Sequence, residues 1–339
     1  MQLPFTRRPD PADWPARVQQ AHAKLTRIGH VDPVVAVSTP PAGRVVEGDA
    51  HQRAEIGSVT KVFTGLLLAR LAELGVVRMT DTVGELLPEG TPLGEGVAQV
   101  TLESLACHRS GLPRLPPGLM LGSLTIGGRV DPYAGMSQSR LMQALADTTV
   151  KDHAGGARVS YSNYGAGLLG HLLGRATGTG YQAALTEHVL TPLGIADTSD
   201  FSDRDLRPGR ARGKVVPPWH LAELAGAGAL RSTAADLLTF CETVRDGTGE
   251  LAGAIAETLR PRGSQGRMEV GLGWFLLGGG DLLMHNGGTR GARSEVRVER
   301  HSGTCVVVLG DWRRGTAAAA TALLDPLPRG GGATPDASD

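Results

Sequence analysis

Strand-patterned segments lie at both ends of this 339-residue chain, with a long helix-patterned stretch between them. Residues 34–38 (VVAVS) and 44–47 (RVVE) are β-branched runs flanking the turn formers Pro40, Pro41 and Gly43. Residues 270–277, 281–285, 294–298 and 304–309 have the same character, and the short turns between them require antiparallel pairing. The intervening sequence predicts helices over 102–107, 139–147, 166–176 and 181–189, and a further one follows over 234–245. An opening helix over 15–28, capped by Asp13 and stopped by Gly29, and a closing helix over 316–324 complete the pattern. One sheet must therefore draw strands from both ends of the chain. The expected class is α+β: an antiparallel sheet flanked by helices, with an inserted all-helical domain. The boundaries expected are 1–75 and 216–328 for a discontinuous sheet domain, 76–215 for the helical domain and 329–339 for a disordered Gly-rich tail.

Composition removes several function classes. The 34 basic and 34 acidic residues balance, which argues against nucleic acid or an anionic membrane surface as partner. The three cysteines, Cys107, Cys241 and Cys305, are odd in number and widely spaced, so no disulfide framework is expected. No apolar run approaches the roughly 18 residues of a membrane span, and residues 1–10 hold no apolar leader core, so a cytoplasmic location is expected. Histidines and cysteines lack ligand spacing, and there is no Gly-x-Gly-x-x-Gly or phosphate-loop pattern. Neither a metal nor another cofactor is expected. Gly-x-Ser-x-Gly is also missing, which argues against an α/β-hydrolase.

Three short segments carry potential chemistry. Ser58-Val59-Thr60-Lys61 places a hydroxyl and an amine one helical turn apart at the head of an apolar run. Read alone, Ser58 is a helix N-cap. The run from Glu55 to Leu68 is apolar on several faces, however, so Lys61 is expected to be buried, and a buried ammonium is costly. The chain has only Lys24, Lys61, Lys151 and Lys214 among its 34 basic residues. Arginine cannot lose its proton in a protein and lysine can. Lys61 is thus a candidate base for a Ser58 nucleophile. Tyr161-Ser162-Asn163 stands where an irregular segment enters a helix. It is either an ordinary loop tyrosine with a turn-forming Asn, or a phenol and an amide aimed at a site. His285-Asn286-Gly287-Gly288-Thr289-Arg290-Gly291 follows a strand. It reads either as an Asn-Gly hairpin turn or as a strand edge that glycine opens to a substrate backbone.

In their order and spacing, these segments resemble the three signatures of the serine β-lactamase and penicillin-recognising DD-peptidase superfamily. Tyr161 points to its class C branch, which includes family VIII esterases, D-amino-acid peptidases and acyltransferases. Residues 105–113, 226–237 and 271–274 add to the likeness, which covers roughly residues 30 to 325. The resemblance implies a β-lactamase/transpeptidase-like fold and a serine hydrolase acting on a small-molecule ester, amide or peptide. It implies that Ser58 is acylated, that Lys61 and Tyr161 share the general-base work, and that Asn163 contacts the substrate amide and Lys61. The oxyanion would be held by the backbone N–H groups of Ser58 and Gly288, beside Gly287. His285 stands where many relatives have lysine. Because neutral histidine is a poor carboxylate partner, slow β-lactam turnover and easier cleavage of uncharged esters or amides are expected, with Arg290 as the other source of positive charge. Acyl transfer and a non-catalytic sensor are the rival readings. Three further features stay open. Cys107-His108 reads as core packing. Trp219-His220 is either a pocket wall or a surface contact. The loop over 111–135 is long enough to act as a lid.

Overall fold

The computed structural model describes residues 11–40, 42–119, 131–150, 158–199 and 203–324. The 329–339 tail and the middle of the 111–135 loop lie outside the described residues.

The sheet is built from both ends of the chain. Strands β1 (Val34–Thr39) and β2 (Gly43–Glu47) form a hairpin. Short strands β3 (Ala54–Glu55) and β6 (Arg231–Ser232) pair separately, as do β4 (Gly209–Ala211) and β5 (Lys214–Val216). The remaining strands form a meander: β7 (Gly263–Gln265), β8 (Met268–Val270), β9 (Phe275–Leu277), β10 (Leu282–Gly288), β11 (Ala292–Glu299) and β12 (Thr304–Asp311). The large sheet has the order β2-β1-β12-β11-β10-β9-β8-β7. The N-terminal hairpin joins the meander where β1 pairs antiparallel with β12, Val34 opposite Leu309.

Period-two alternation decides which face each side chain takes. Val35, Val37, Val306 and Val308 pack beneath helices α1 (Trp14–Arg27) and α5 (Thr316–Leu323) through Val18, Leu25, Ala320 and Leu323. Val34, Ala36, Val307 and Leu309 face the larger core, which holds helices α2 (Thr60–Glu73), α3 (Asn163–Thr177) and α4 (Ala234–Asp246). Each fully buried Val or Leu side chain among them is worth about 1.5–3 kcal/mol. Among the described residues, the strands between the N-terminal hairpin and the meander are the short β3–β6 pair and the β4–β5 hairpin, and the other regular elements there are helices.

Two expectations need correction, and one open alternative is decided. Asp13 makes no side-chain capping bond to α1, because it already has a helical backbone conformation at the end of a short 3-10 turn. Residues 270–277 are not one strand. Gly271 to Trp274 form a turn that wedges under α2, where a side-chain carbon on Gly273 (φ +78°) would lie 2.2 Å from Lys61 O. Only glycine allows that approach. Finally, Asn286-Gly287 is not a hairpin turn. Both residues lie within β10, and the chain reverses over Thr289, Arg290 and Gly291.

Candidate active site

α2 is buried on every face from Thr60 to Ala69, and Lys61 is only 2% exposed. Ser58 precedes it in the 3-10 turn Gly57–Val59 and is partly exposed. The serine is therefore not an N-cap. Its turn is held from two directions, by β11 and by the residue before β6, and packs on β10. Ser294 Oγ donates to Ile56 O at 2.7 Å, and Ile56 N donates to Leu230 O at 3.0 Å. Gly57 (φ +49°) and Gly287 make the contact sterically possible. A side-chain carbon would lie 2.6 Å from Gly288 N at the first and 1.9 Å from Ile56 O at the second. This packing sets the backbone of Ser58 beside that of Gly288.

Lys61 Nζ has three partners: Ser58 Oγ at 3.0 Å, Asn163 Oδ1 at 2.8 Å and Ala227 O at 2.6 Å. Burial, with a smaller contribution from the Arg114 charge, holds its pKa well below the usual lysine value. A neutral amine has two N–H donors and one lone pair. Asn163 Oδ1 and Ala227 O are acceptors only, so they take both donors. The lone pair is left for Ser58 Oγ–H, the one partner able to donate. Once protonated, the same amine offers its third proton back along that line.

The second signature is placed by local capping. Ser162 is the N-cap of α3, accepting from Gly165 N at 2.8 Å and donating to Pro113 O at 2.7 Å. That cap delivers Asn163 to Lys61 on one side. On the other, Asn163 Nδ2 donates to Tyr133 Oη at 3.1 Å, which fixes the amide orientation. The Tyr161 ring lies 4.8 Å from Lys61 Nζ and 5.5 Å from the Arg114 guanidinium. Its hydroxyl is buried and no protein atom completes a full hydrogen bond to it. Burial pushes this phenol well above its ordinary pKa, against a smaller pull from the nearby Ser58 hydroxyl.

His285 is fully buried. Its Nδ1 lies 2.7 Å from Asn286 O, so Nδ1 carries the proton and Nε2 the lone pair. Burial first, then the Lys61 charge, lower its pKa to about 3, so it brings no cation to the site. Phe275 stacks on it at 5.0 Å, and Tyr161 lies 6.5 Å away. His108 packs on Tyr161 at 4.5 Å and accepts from Ser162 N through Nδ1 at 3.3 Å. Cys107 is a free, buried core thiol, as its neighbourhood in sequence suggests.

The structure thus brings together Ser58, Lys61, Tyr161, Asn163 and His285, with Gly287 and Gly288 behind the nucleophile. Ser58 opens on a cleft of about 600 Å³ whose lining includes Arg114, Leu115, Leu119, Tyr133, Asn163, Trp219, Asn286, Gly288, Thr289 and Arg290. Trp219 is therefore a wall of the cleft. Sequence reading missed Tyr133, Arg114, Phe275 and Glu55 as parts of the site. Glu55 is buried, accepts from Trp219 N at 2.8 Å and sits beside Thr289. It ties both cleft walls to the segment that bears Ser58. Burial raises its pKa. Asp131 makes a second tie, accepting from the backbone N of Tyr133, His220 and Leu221. Among the described residues no cluster of His, Cys, Asp and Glu could hold a metal ion, and no helix is long and apolar enough to cross a membrane.

Known proteins resemble this chain in sequence and in fold. The beta-lactamase family model matches residues 32–325. The D-alanyl-D-alanine-carboxypeptidase/endopeptidase AmpH of Escherichia coli K12 is 29% identical over 192 residues, which are 55% of this chain and 47% of that protein. The chain thus matches about half the length of that relative. Among solved structures, a class C beta lactamase from Rhodobacter sphaeroides superposes with a TM-score of 0.75 at 20% identity, covering 91% of this chain and 98% of the other. A D-stereospecific amidohydrolase from Streptomyces gives a TM-score of 0.73 at 23% identity, covering 92% and 97%. At these identities the two superpositions speak for the fold.

Proposed function

Because the chain belongs to the beta-lactamase family, we propose that it is a serine hydrolase that cleaves an ester, amide or D-peptide through an acyl-enzyme on Ser58. The observation that carries this reading is the Lys61 amine, with two carbonyl oxygens on its donors and Ser58 Oγ on its third position.

Ser58 Oγ attacks the substrate carbonyl carbon while its proton passes to Lys61 Nζ. The tetrahedral oxyanion lies between the N–H groups of Ser58 and Gly288, and each such donor is typically worth about 2.7–4 kcal/mol. The bond to the leaving alcohol or amine then breaks. The leaving group takes a proton from Lys61, relayed by the Tyr161 hydroxyl, which its raised pKa keeps as a phenol. Lys61 carries the base role, and Tyr161 moves the proton. Water then attacks the acyl-enzyme by the reverse route and frees the acid. Replacing water by an amine or alcohol would make the same site an acyltransferase.

The strand edge supports a peptide-like or extended substrate. β9 pairs with Leu282, Leu283 and Met284 only, whereas β11 pairs with β10 as far as Gly288. The edge of β10 from His285 to Gly288 is therefore not covered by β9, and an extended acyl chain can add there. The fold and the AmpH likeness favour D-peptides and related amides among the candidates. A substrate carboxylate finds no cation at His285, so nitrocefin is expected to turn over slowly.

The test is covalent labelling with a fluorophosphonate, read by intact mass and peptide mapping. Wild type should gain one label on Ser58 and Ser58→Ala should gain none. Labelling that persists in Ser58→Ala overturns the nucleophile assignment. Failure of wild type to label, with no turnover of aryl esters, nitrocefin or D-Ala-D-Ala peptides, favours the non-catalytic sensor.

A further inference from the structure

Resting on that reading of Ser58 and Tyr161, we propose that His108 is a positioning residue: it holds the Tyr161 ring where the phenol can pass a proton to the leaving group. The Tyr161 hydroxyl is not fixed by a bond of its own, since no protein atom completes a full hydrogen bond to it. Its place depends on its ring and on the irregular segment that carries it. Both backbone N–H groups that flank Tyr161 donate to His108. Ser160 N donates to His108 O at 2.8 Å, and Ser162 N donates to His108 Nδ1 at 3.3 Å. Between those bonds the imidazole packs on the Tyr161 ring, with the ring centroids 4.5 Å apart. One residue thus grips this segment before, at and after the phenol. Ser162 is also the N-cap of α3, so the same imidazole bears on the residue before Asn163. The His108 segment is tied in turn to α2. Ala106 O accepts from Gly273 N at 3.1 Å, and Gly273 packs against Lys61 O.

Core packing alone does not account for a histidine here. His108 is 3% exposed, and its Nε2 is buried with no hydrogen-bond partner. Because Nδ1 accepts from Ser162 N, Nε2 carries the proton of the neutral ring. A buried N–H without an acceptor is a cost that an apolar ring of similar shape would avoid. The lone pair on Nδ1 is what an apolar ring cannot supply. Burial first, then Lys61 and His285, hold the His108 pKa well below its ordinary value, which keeps that lone pair available. The backbone bears a second cost. His108 has φ +58°, a left-handed conformation uncommon for a residue with a side chain. Conformations of this kind persist where the surroundings fix them, and they gather at functional sites. A proton relay needs such fixing, because a misplacement of about 1 Å can cost about 100-fold in rate.

The test varies the leaving group at a constant acyl group and reads kcat/KM, which reports acylation. p-Nitrophenolate leaves without a proton at neutral pH, whereas an alkoxide must receive one. The probes are the p-nitrophenyl, phenyl and ethyl esters of the acyl group that wild type takes fastest from p-nitrophenyl esters. Tyr161→Phe should lose at least about tenfold more on the ethyl ester than on the p-nitrophenyl ester. His108→Asn suits a left-handed backbone and removes the ring from Tyr161. It should show the same tilt by at least about fivefold. His108→Phe keeps a ring, removes the acceptor and should tilt in the same direction. In the Tyr161→Phe background His108→Asn should cost less than about twofold on any ester, because the two residues act as a unit. Circular dichroism reports the fold of each variant, and either His108 variant suffices if the other does not fold. Equal losses on all three esters from the His108 variants, or a loss undiminished in the Tyr161→Phe background, overturn the proposal and leave the relay standing. Equal losses from Tyr161→Phe overturn the relay and the proposal together, and fluorophosphonate labelling of Ser58 in that variant reports separately on the nucleophile.

Discussion

Lys61→Met tests the deepest assumption of the site, that the buried amine is neutral. Methionine keeps the length and apolar stem of lysine and cannot bind a proton. In the unfolded chain the lysine titrates near 10.4. In the folded chain burial, assisted by Arg114, depresses that value. Between the two values the unfolded wild type holds one proton more than the folded form. Its stability therefore rises with pH across that window, with a limiting slope of about 1.4 kcal/mol per pH unit. Below the folded pKa both forms carry the proton, and above about 10.4 neither does, so the slope vanishes on both sides. The methionine variant lacks this dependence, and its stability relative to wild type should fall by the same amount per unit over the same window. Its absolute level also includes a pH-independent loss, because Asn163 Oδ1 and Ala227 O lose their donor. That loss is about 1–3 kcal/mol per orphaned group, so the slope, not the intercept, is diagnostic. Urea unfolding at a series of pH values, analysed at constant m, gives the slope. Lysine labelled with carbon-13 at Cε gives the pKa directly. The chain has only four lysines, and the resonance missing from Lys61→Met assigns the one that matters. Labelling of Ser58 should lose rate as pH falls through that same pKa. A flat stability difference from pH 7 to 10, together with a Lys61 resonance titrating at the ordinary lysine value, would refute the reasoning: the amine would be a permanent cation and could not accept the serine proton.

Three further substitutions probe the supports of the site. Tyr133→Phe removes the acceptor that orients the Asn163 amide. A net hydrogen bond of about 1 kcal/mol predicts a kcat loss of about fivefold with little movement in KM, and steady-state kinetics showing no change in kcat would count against the orientation argument. Glu55→Ala leaves Trp219 N without its acceptor inside the protein and removes the carboxylate beside Thr289, so unfolding stability should fall by about 1–3 kcal/mol for each orphaned group. Glu55→Gln keeps one acceptor oxygen and should recover most of the loss, so equal melting temperatures for the two variants would contradict the role assigned to this carboxylate. Gly57→Ala puts a side chain at φ +49° and 2.6 Å from Gly288 N, which must push Ser58 away from β10. Loss of one oxyanion donor alone is worth about 100- to 1,000-fold in kcat, and activity within tenfold of wild type, with native circular dichroism, would show that the contact does not set the oxyanion geometry.

What could be read from the sequence follows the range over which residues act. Ser58 and Lys61 are one helical turn apart, so their contact is local and their spacing predicts it. The burial of α2 follows from the apolar character of all its faces. The sheet built from both chain ends follows from strand patterning alone, as its observed order confirms. Tyr161, Asn163 and His285 were placed by the resemblance of their motifs, not by any physical pattern that links them to Lys61. Contacts without local periodicity were invisible. Tyr133 lies 30 residues from Asn163, and Glu55 lies 164 residues from the Trp219 N–H it accepts; nothing in either segment marks the partner. One glycine segment was left ambiguous and another misread for a related reason. Asn286-Gly287 has the composition of a hairpin turn, but Gly287 is small because Ile56 O occupies the space where its side chain would go. Gly273 breaks the expected 270–277 strand because its carbon position faces Lys61 O. In both places glycine serves a close approach to the segment bearing Ser58 and Lys61, a tertiary demand that local turn chemistry imitates. A glycine inside an otherwise strand-like run is thus a contact surface as readily as punctuation, and here only the fold identifies its partner as the Ser58 turn.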